Sequence, residues 1–541
     1  MREPGRGVLL AALILLLFAV WFEMPGSWLA EPDEPRYAEI PREMLATGDF
    51  VVPRLNGVPY FEKPPLLYWA NAGALAALGE TPFAARLPTR LAGLGTTLLV
   101  LFGVGALWGR RAGLFAAIFF LASPLPFVFS RLNLTDGVLT FFFTATLFAG
   151  FATMRARAAG RRAFALSALT GALAAGAFLS KGLVGVVLPG GILFFWALAS
   201  RRSRALLPFF AGPAAPVFLL LVVPWLWLAE RRAPGFLQFF FVHEHFQRFA
   251  TNVSNRPGPI WYFVPVFVAG FLPGLPFFFA GLRRLRREPE ALFFAIWFAV
   301  VFLVFSLSHS KLSPYLFPAF PAAAALAARG LLLAARSRRH FAISAAISAL
   351  LVPAALFIPA AREAVAQSSV WPHAIAAGTL LAAGAVAALL LCRRADAALG
   401  ALGAGWAAFY VILALIYPRT ELASRHHDLA TAARSASAAG ARVVGFRTYL
   451  QTFPWELRTP IPVAQFTGEL EPSWLSERDR SRIFWSREEF FRRWSSGERW
   501  VVLVKSRDAD VDFRDVRPAP RLVAERRKYR VVANFDAAPG P

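Results

Sequence analysis

The chain has 541 residues, 57% of them hydrophobic, and a mean hydropathy of +0.51, which excludes an ordinary water-soluble fold. Its formal charge of +24 comes from 57 Lys and Arg against 33 Asp and Glu. The arginines cluster in short gaps between apolar runs, as in cytoplasmic loops of membrane proteins, and this argues against a nucleic-acid partner. The single cysteine, Cys392, excludes a disulfide framework and a Cys-based metal site.

Apolar runs recur through the first 417 residues, many reaching the roughly 20 residues that cross a bilayer core. They lack the alternation of barrel strands and read as helices. The fold class is therefore membrane all-α, with about thirteen transmembrane helices. The spans fall near 8–22, 88–107, 112–130, 137–153, 163–180, 182–199, 205–228, 260–282, 291–307, 315–333, 341–360, 373–391 and 398–417. The first reads as an uncleaved anchor, because bulky Trp28 occupies the nearest cleavage-like site.

With Arg2 and Arg6 cytoplasmic, the Arg-rich gaps at 109–111, 155–162, 201–204, 283–287, 336–339 and 393–394 all fall on the same side. The opposite, periplasmic face receives a first loop at 23–87, a second at 229–259, and everything after residue 417. Within the first loop, Glu34–Leu45 and Pro65–Leu78 read as interfacial helices. The tail is charged and carries strand-like runs at 442–446, 461–464 and 500–504, which predicts a small C-terminal α/β periplasmic domain. The division is a membrane domain at 1–417 and a periplasmic domain at 418–541.

The unusual polar residues gather on that same face. Asp33, Glu34, Glu62 and Lys63 lie in the first loop, Asp136 at the start of the fourth span, and Lys181 between the fifth and sixth. His243, His245 and Arg248 lie in the second loop, and Lys311 joins spans nine and ten. Each has a plain structural role open to it: Asp33, Glu34 and Asp136 as helix N-terminal charges, Lys63 as a snorkelling cation. Charges near a membrane are costly and usually face a protein cavity, so one cavity open to the periplasm accounts for them together.

The first loop reads Asp33-Glu34-Pro35-Arg36-Tyr37-Ala38-Glu39-Ile40, and later Pro59-Tyr60-Phe61-Glu62-Lys63-Pro64-Pro65. It resembles the first periplasmic loop of GT-C glycosyltransferases, most of all the lipid A aminoarabinose transferases, relatives of the protein O-mannosyltransferases. Arg131 to Asp136, Lys181-Gly182, Glu244 to Phe249 and Lys311 to Pro318 extend the match through about the tenth span. The resemblance implies that Asp33 and Asp136 are catalytic acids and that Arg36, Lys63, Lys181, Arg248 and Lys311 bind the donor phosphate. It implies Glu34, Tyr60 and Tyr315 as pocket residues, and Glu62 with His245 as ligands of a divalent metal, zinc in the family. The doubled His243 and His245 depart from the family pattern, as does the tail.

The chemistry fits these residue types. A sugar carried on a polyprenyl phosphate leaves behind a phosphate whose charge needs nearby cations. An acceptor hydroxyl needs a carboxylate to take its proton. No Gly-rich nucleotide loop is present. The resemblance thus implies a bacterial inner-membrane, inverting glycosyltransferase that moves 4-amino-4-deoxy-L-arabinose from undecaprenyl phosphate to lipid A, among membrane lipids. Transfer of another sugar to protein hydroxyls or other envelope glycans is the alternative within the class. A lipid or solute transporter is the alternative outside it, disfavoured because the chain shows no pair of related halves and invests in loops and a domain on one face.

Overall fold

A computed structural model describes residues 5–24, 27–247, 257–285, 287–334, 338–355, 371–438 and 440–536. The chain divides into two compact units. The first comprises Met1–Met24, Glu62–Leu67 and Arg86–Ile416, the second Pro25–Phe61, Tyr68–Ala85 and Tyr417–Pro541.

The first unit is helical. Among the described residues, eight helices are long and apolar enough to cross a membrane, or nine if Ile260–Gly270 and Leu275–Gly281, bent by 110° at their junction, form one span. This differs from the thirteen expected, and the differences have local causes. The run at 112–130 is cut at Ser123 into Arg110–Ala122 and Pro124–Phe129, because Pro124 has no N–H to continue the ladder. The run at 205–228 starts as two short turns, and the long helix, Ala214–Arg232, begins only after Gly212 and Pro213. Arg6–Trp21 and Val184–Ala199 are apolar helices of 16 residues each. The end of the run at 341–360 lies outside the described residues.

Apolar side chains face outward on these helices: Phe102 is 67% exposed and Leu220 71%. That is the surface expected of helices solvated by lipid. Inside the bundle, helices approach through small residues. A Cβ on Gly330 would sit 1.9 Å from the Phe277 carbonyl oxygen, so Phe320–Leu333 and Leu275–Gly281 pack backbone to backbone there.

In the second unit the first-loop helix runs Asp33–Thr47 and ends on Gly48, whose left-handed φ of 70° lets its N–H reach the Met44 carbonyl at 2.9 Å. It is not the expected interfacial helix with one face open, since Glu34 through Met44 are all buried. Its interior charges satisfy one another: Arg42 donates to both Glu39 oxygens at 2.6 and 2.7 Å, and Glu43 accepts the Gly57 N–H at 2.9 Å. The hairpin that presents Gly57 pairs β1 (Arg54–Leu55) with β2 (Val58–Pro59). Leu66–Leu78 keeps an exposed face through Ala70, Gly73 and Ala77.

The same unit holds a six-stranded sheet built from β3 (Arg442–Phe446), β4 (Val463–Ala464), β5 (Phe484–Trp485), β6 (Trp500–Lys505), β7 (Arg521–Arg526) and β8 (Tyr529–Ala533). The order is β5-β4-β3-β6-β8-β7, parallel from β5 through β6 and antiparallel beyond. Trp500 through Val504 are buried on both faces, which is why β6 reads as an unbroken apolar run and sits centrally. The expected α/β architecture of the tail is present.

Two tests follow from this packing. Gly330→Ala forces Phe277 away and lowers stability by about 1–3 kcal/mol. Gly190→Ala, with nothing within 4 Å of its added Cβ, leaves stability equal or higher. Equal losses in thermal unfolding of the two purified variants would contradict the close approach.

Burial, and then the neighbouring Glu39, pushes the Glu43 carboxyl up to about 8, and burial raises Glu39 as well. The folded chain therefore holds protons that the unfolded chain releases above its ordinary carboxyl range. Stability is fullest below that range and declines as pH rises toward about 8. The slope is at most about 1.4 kcal/mol per pH unit for each proton. Glu43→Gln keeps an acceptor for Gly57 and removes a titration, so its melting temperature exceeds the wild type's at pH 8 and matches it near pH 5. A wild-type melting temperature that is flat over this range rules the carboxyl out as the titrating group.

Candidate active site

In the first unit, breaks between helices bring charges together. Phe164–Lys181 ends because Gly182 takes φ 75°, leaving Lys181 at the helix C-terminus, where a cation suits the dipole. Thr135–Ala158 begins with Asp136 in its first turn, where an anion suits the opposite pole. The two ends meet: Lys181 Nζ donates to Asp136 Oδ1 at 2.5 Å and lies 4.9 Å from the Tyr315 ring centre.

A cavity of about 110 Å³ opens beside this pair, lined by Lys181, Asp136, Tyr315, Lys63, Glu62 and Glu244 among others. Lys63 Nζ donates to the Glu62 carbonyl at 2.7 Å and lies 3.8 Å from the Glu62 carboxylate and 3.6 Å from that of Glu244. Glu244 comes from the π-helical Phe239–Gln247 segment. The cavity thus presents two ammonium groups held by three carboxylates, in a size that suits an anionic headgroup and not a whole sugar.

Five expected residues of this unit, Lys63, Lys181, Asp136, Tyr315 and Glu62, share that cavity. Lys311 does not line it. Its ammonium donates to the carbonyls of Phe305, Ser306 and Ser308 at 3.2, 2.6 and 2.5 Å, which uses all three of its protons to close the end of Pro289–Leu307. The His245 side chain and the whole of Arg248 lie outside the described residues. Among the described residues no three His, Cys, Asp or Glu gather as metal ligands. The carboxylates of Glu62 and Glu244 instead face the Lys63 ammonium. The expected zinc pair, Glu62 with His245, thus has one of its two side chains outside the described residues.

The second unit holds Asp33, Glu34, Arg36 and Tyr60. Arg36 is buried and forks between Asp33 Oδ1 at 2.8 Å and Glu469 Oε2 at 2.7 Å, while the Asp33 side chain stays 46% exposed. Burial opposes the Arg36 charge, but Tyr60, Glu469, Tyr37 and Asp33 outweigh it and hold the guanidinium well above its ordinary range. Glu34, expected in the pocket, is 1% exposed and accepts the Ala30 N–H at 2.9 Å, a structural fixture of the helix start. Tyr60 is buried at the end of the hairpin, its N–H donating to the Pro53 carbonyl at 2.8 Å.

Sequence reasoning missed Glu469, which lies 433 positions from Arg36 in a segment with no motif. It also passed over Glu244, set between two histidines that drew the eye, and the partly buried Glu23 of the first unit. Glu23 pairs with Arg86, and with Arg90 at 2.6 Å. Nearby, Arg131 donates to the carbonyls of Ala19 and Phe22 at 2.9 and 2.8 Å, capping Arg6–Trp21. The signal for Glu23 was available: a lone acid at the end of an apolar run needs a partner.

Comparison with known proteins places this geometry. The family model for dolichyl-phosphate-mannose-protein mannosyltransferase matches residues 8–240, and that for the aminoarabinose transferase C-terminal domain matches 429–534. The curated undecaprenyl phosphate-alpha-4-amino-4-deoxy-L-arabinose arabinosyl transferase of Pectobacterium carotovorum is 36% identical over 347 residues, 62% of each chain, so the match spans under two thirds of that relative. The corresponding transferase 1 of Sodalis glossinidius is 34% identical over 415 residues, 73% of each chain. Among solved structures, ArnT from Cupriavidus metallidurans bound to undecaprenyl phosphate superposes with a TM-score of 0.85 at 27% identity, covering 99% of both chains. Its apo form gives 0.83 at 28%, covering 98% of both. With both family models matched in order and full-length agreement in fold, the chain belongs to the family of undecaprenyl phosphate-alpha-4-amino-4-deoxy-L-arabinose arabinosyl transferases.

Proposed function

We propose that this protein transfers 4-amino-4-deoxy-L-arabinose from undecaprenyl phosphate to lipid A on the periplasmic face of the bacterial inner membrane. The membrane domain at 1–417 crosses about thirteen times, and the domain at 418–541 is periplasmic. The observation that carries the reading is the cavity in which Lys63 and Lys181 are held beside Asp136, Glu62 and Glu244 among apolar helices. Family membership supplies the donor class, and the lipid A acceptor comes from the first-loop resemblance.

In this reading an acceptor oxygen attacks the anomeric carbon with inversion. The carbon–oxygen bond to the lipid phosphate breaks, and undecaprenyl phosphate departs with the electron pair. Lys63 and Lys181 receive its charge, each exchanging a carboxylate contact for a phosphate oxygen, and such fixed cations act strongly where water is excluded. Arg36 and Arg248 are assigned to the same anionic donor by the resemblance, and Tyr315 walls the cavity. Asp136 keeps Lys181 in place. Asp33 takes the acceptor's proton. No step is assigned to a metal.

Lys63→Ala and Lys181→Ala weaken donor binding, each removing a phosphate partner, whereas Asp33→Asn retains donor binding and loses about 10²–10⁴-fold in turnover on a hydroxyl acceptor. A phosphate acceptor ionises through a second pKa of about 6, so with lipid A the Asp33→Asn defect shrinks as pH rises through that value. A defect of constant size across pH points to a hydroxyl acceptor, and full activity of Asp33→Asn with both kinds removes Asp33 from the mechanism.

Orientation is tested with single cysteines in a Cys392→Ser background. A reagent that cannot cross the inner membrane labels Ser473→Cys in cells with a permeabilised outer membrane and spares Ser203→Cys. The reverse pattern overturns the topology.

A further inference from the structure

The mainly parallel sheet of the second unit has a second opening that the reading above leaves unused. Sheets of this kind usually bind ligands outside the carboxyl ends of their strands, where the strand order reverses. Here that reversal lies between β3 and β6, and the chain's own side chains occupy it: Arg447, directly after β3, pairs with Asp512 at 2.7 Å. The open cavity, about 840 Å³, lies at the opposite, amino ends of β3, β5 and β6, marked by Arg442, Phe484 and Trp500. Its volume falls within the roughly 300–1,000 Å³ of small-molecule sites.

Charge and shape agree on what it takes. Four arginines, Arg442, Arg482, Arg492 and Arg493, line it against one carboxylate, Glu489. Glu489 is shared by Arg492 and Arg493. Arg442 and Arg482 hold only loose surface partners, Glu498 at 3.4 Å and Asp479 at 3.8 Å, which contribute little and exchange easily. Trp485 and Trp500 form an edge-to-face pair at 5.3 Å in the wall, with Arg493 4.6 Å from the first ring centre and Arg442 5.8 Å from the second. Both indole N–H groups are buried without an acceptor among the described residues, an uncommon deficit in a folded wall.

We propose that this pocket binds a phosphorylated saccharide. Guanidinium groups take the phosphate oxygens through paired, charge-assisted hydrogen bonds. The partly exposed Phe484 ring takes the C–H face of a sugar ring, which buries apolar area without demanding hydrogen bonds. The phosphorylated glucosamine headgroup of lipid A has this chemistry, so the pocket is a docking site for the acceptor, a clause that rests on the function proposed above.

The test uses the full-length protein in detergent, titrated calorimetrically with a deacylated, bisphosphorylated glucosamine disaccharide. The unphosphorylated disaccharide and inorganic phosphate are titrated in parallel. The bisphosphorylated probe binds saturably, at least tenfold more tightly than either comparison, and its affinity falls with added salt. Arg482→Gln combined with Arg492→Gln, both on exposed side chains, weakens it at least tenfold, while Lys63→Ala leaves it unchanged. Phe484→Ala, a milder change to the wall, weakens it without altering the response to salt. Loss of binding in Lys63→Ala with retention in the arginine double variant moves the saccharide to the other cavity and overturns the proposal. So does inorganic phosphate binding as tightly as the disaccharide. Turnover is read separately: the double variant raises the KM for lipid A and leaves the donor KM unaltered. Saturable, arginine-dependent binding in a protein that fails to modify lipid A upholds the pocket and refutes the acceptor assignment.

Discussion

A charge withdrawn from water must find a counter-charge or several hydrogen bonds, and this requirement governs each unit of the protein. Desolvating an ion costs several kcal/mol even after relaxation, and stranding one by removing its partner costs about 3–5 kcal/mol. The first unit answers with Glu23 against Arg86 and Arg90, with Lys181 against Asp136, and with Lys311 on three backbone carbonyls. The second answers with Glu39 and Arg42, and with Arg36 between two carboxylates. These arrangements sit at helix ends or on one short helix, so the pairing fixes where helices stop as much as it neutralises charge.

Helix termini then explain why reactive groups collect where they do. An apolar span offers no place for a lysine except at its end, and the end left by Gly182 is the carboxyl pole of a helix. Asp136 stands at the amino pole of the next helix. Both ions are favoured by their own helix before they meet, by about 0.3–1 kcal/mol each where exposed and more where partly buried. The cavity beside them is thus a by-product of interruptions in apolar runs. A ligand phosphate entering it replaces one anion by another, which asks less of the site than solvating a bare cation.

How much of this was legible in the sequence depended on whether the deciding interaction was local. Helix identity followed from apolar runs alone, and Asp136 and Lys181, placed on one face by the charge rule, line one cavity. Span length was less readable, because Ser123-Pro124 and Gly212-Pro213 interrupt runs whose hydropathy continues across them. The setting of Lys311 was hidden for a physical reason: its proximity to Tyr315 in sequence says nothing of three carbonyls left open by the preceding helix end. The contact of Glu34 was hidden likewise, since its sequence neighbours do not show that it accepts the Ala30 N–H at its own helix start. Glu469 was invisible because no periodicity or motif links it to Arg36.

That last contact gives the tail a structural purpose beyond any ligand it binds. Glu31 accepts the Gln451 and Thr452 backbone N–H groups at 2.7 and 2.9 Å, and Asn56 exchanges hydrogen bonds with the backbone of Ile461 at 2.8 Å in each direction. Trp28 stacks on His427 at 3.4 Å. These partners stand roughly 400 positions apart yet belong to one compact unit. The loop between the first two spans is therefore folded by the tail rather than by its own sequence, since a helix of 15 residues is marginal alone and this one buries five Glu and Arg side chains. Asp33 and Arg36 are held within that enclosure: Asp33 meets one guanidinium nitrogen and Glu469 the other. The tail serves this end with one carboxylate and a pair of backbone donors where the first-loop helix begins.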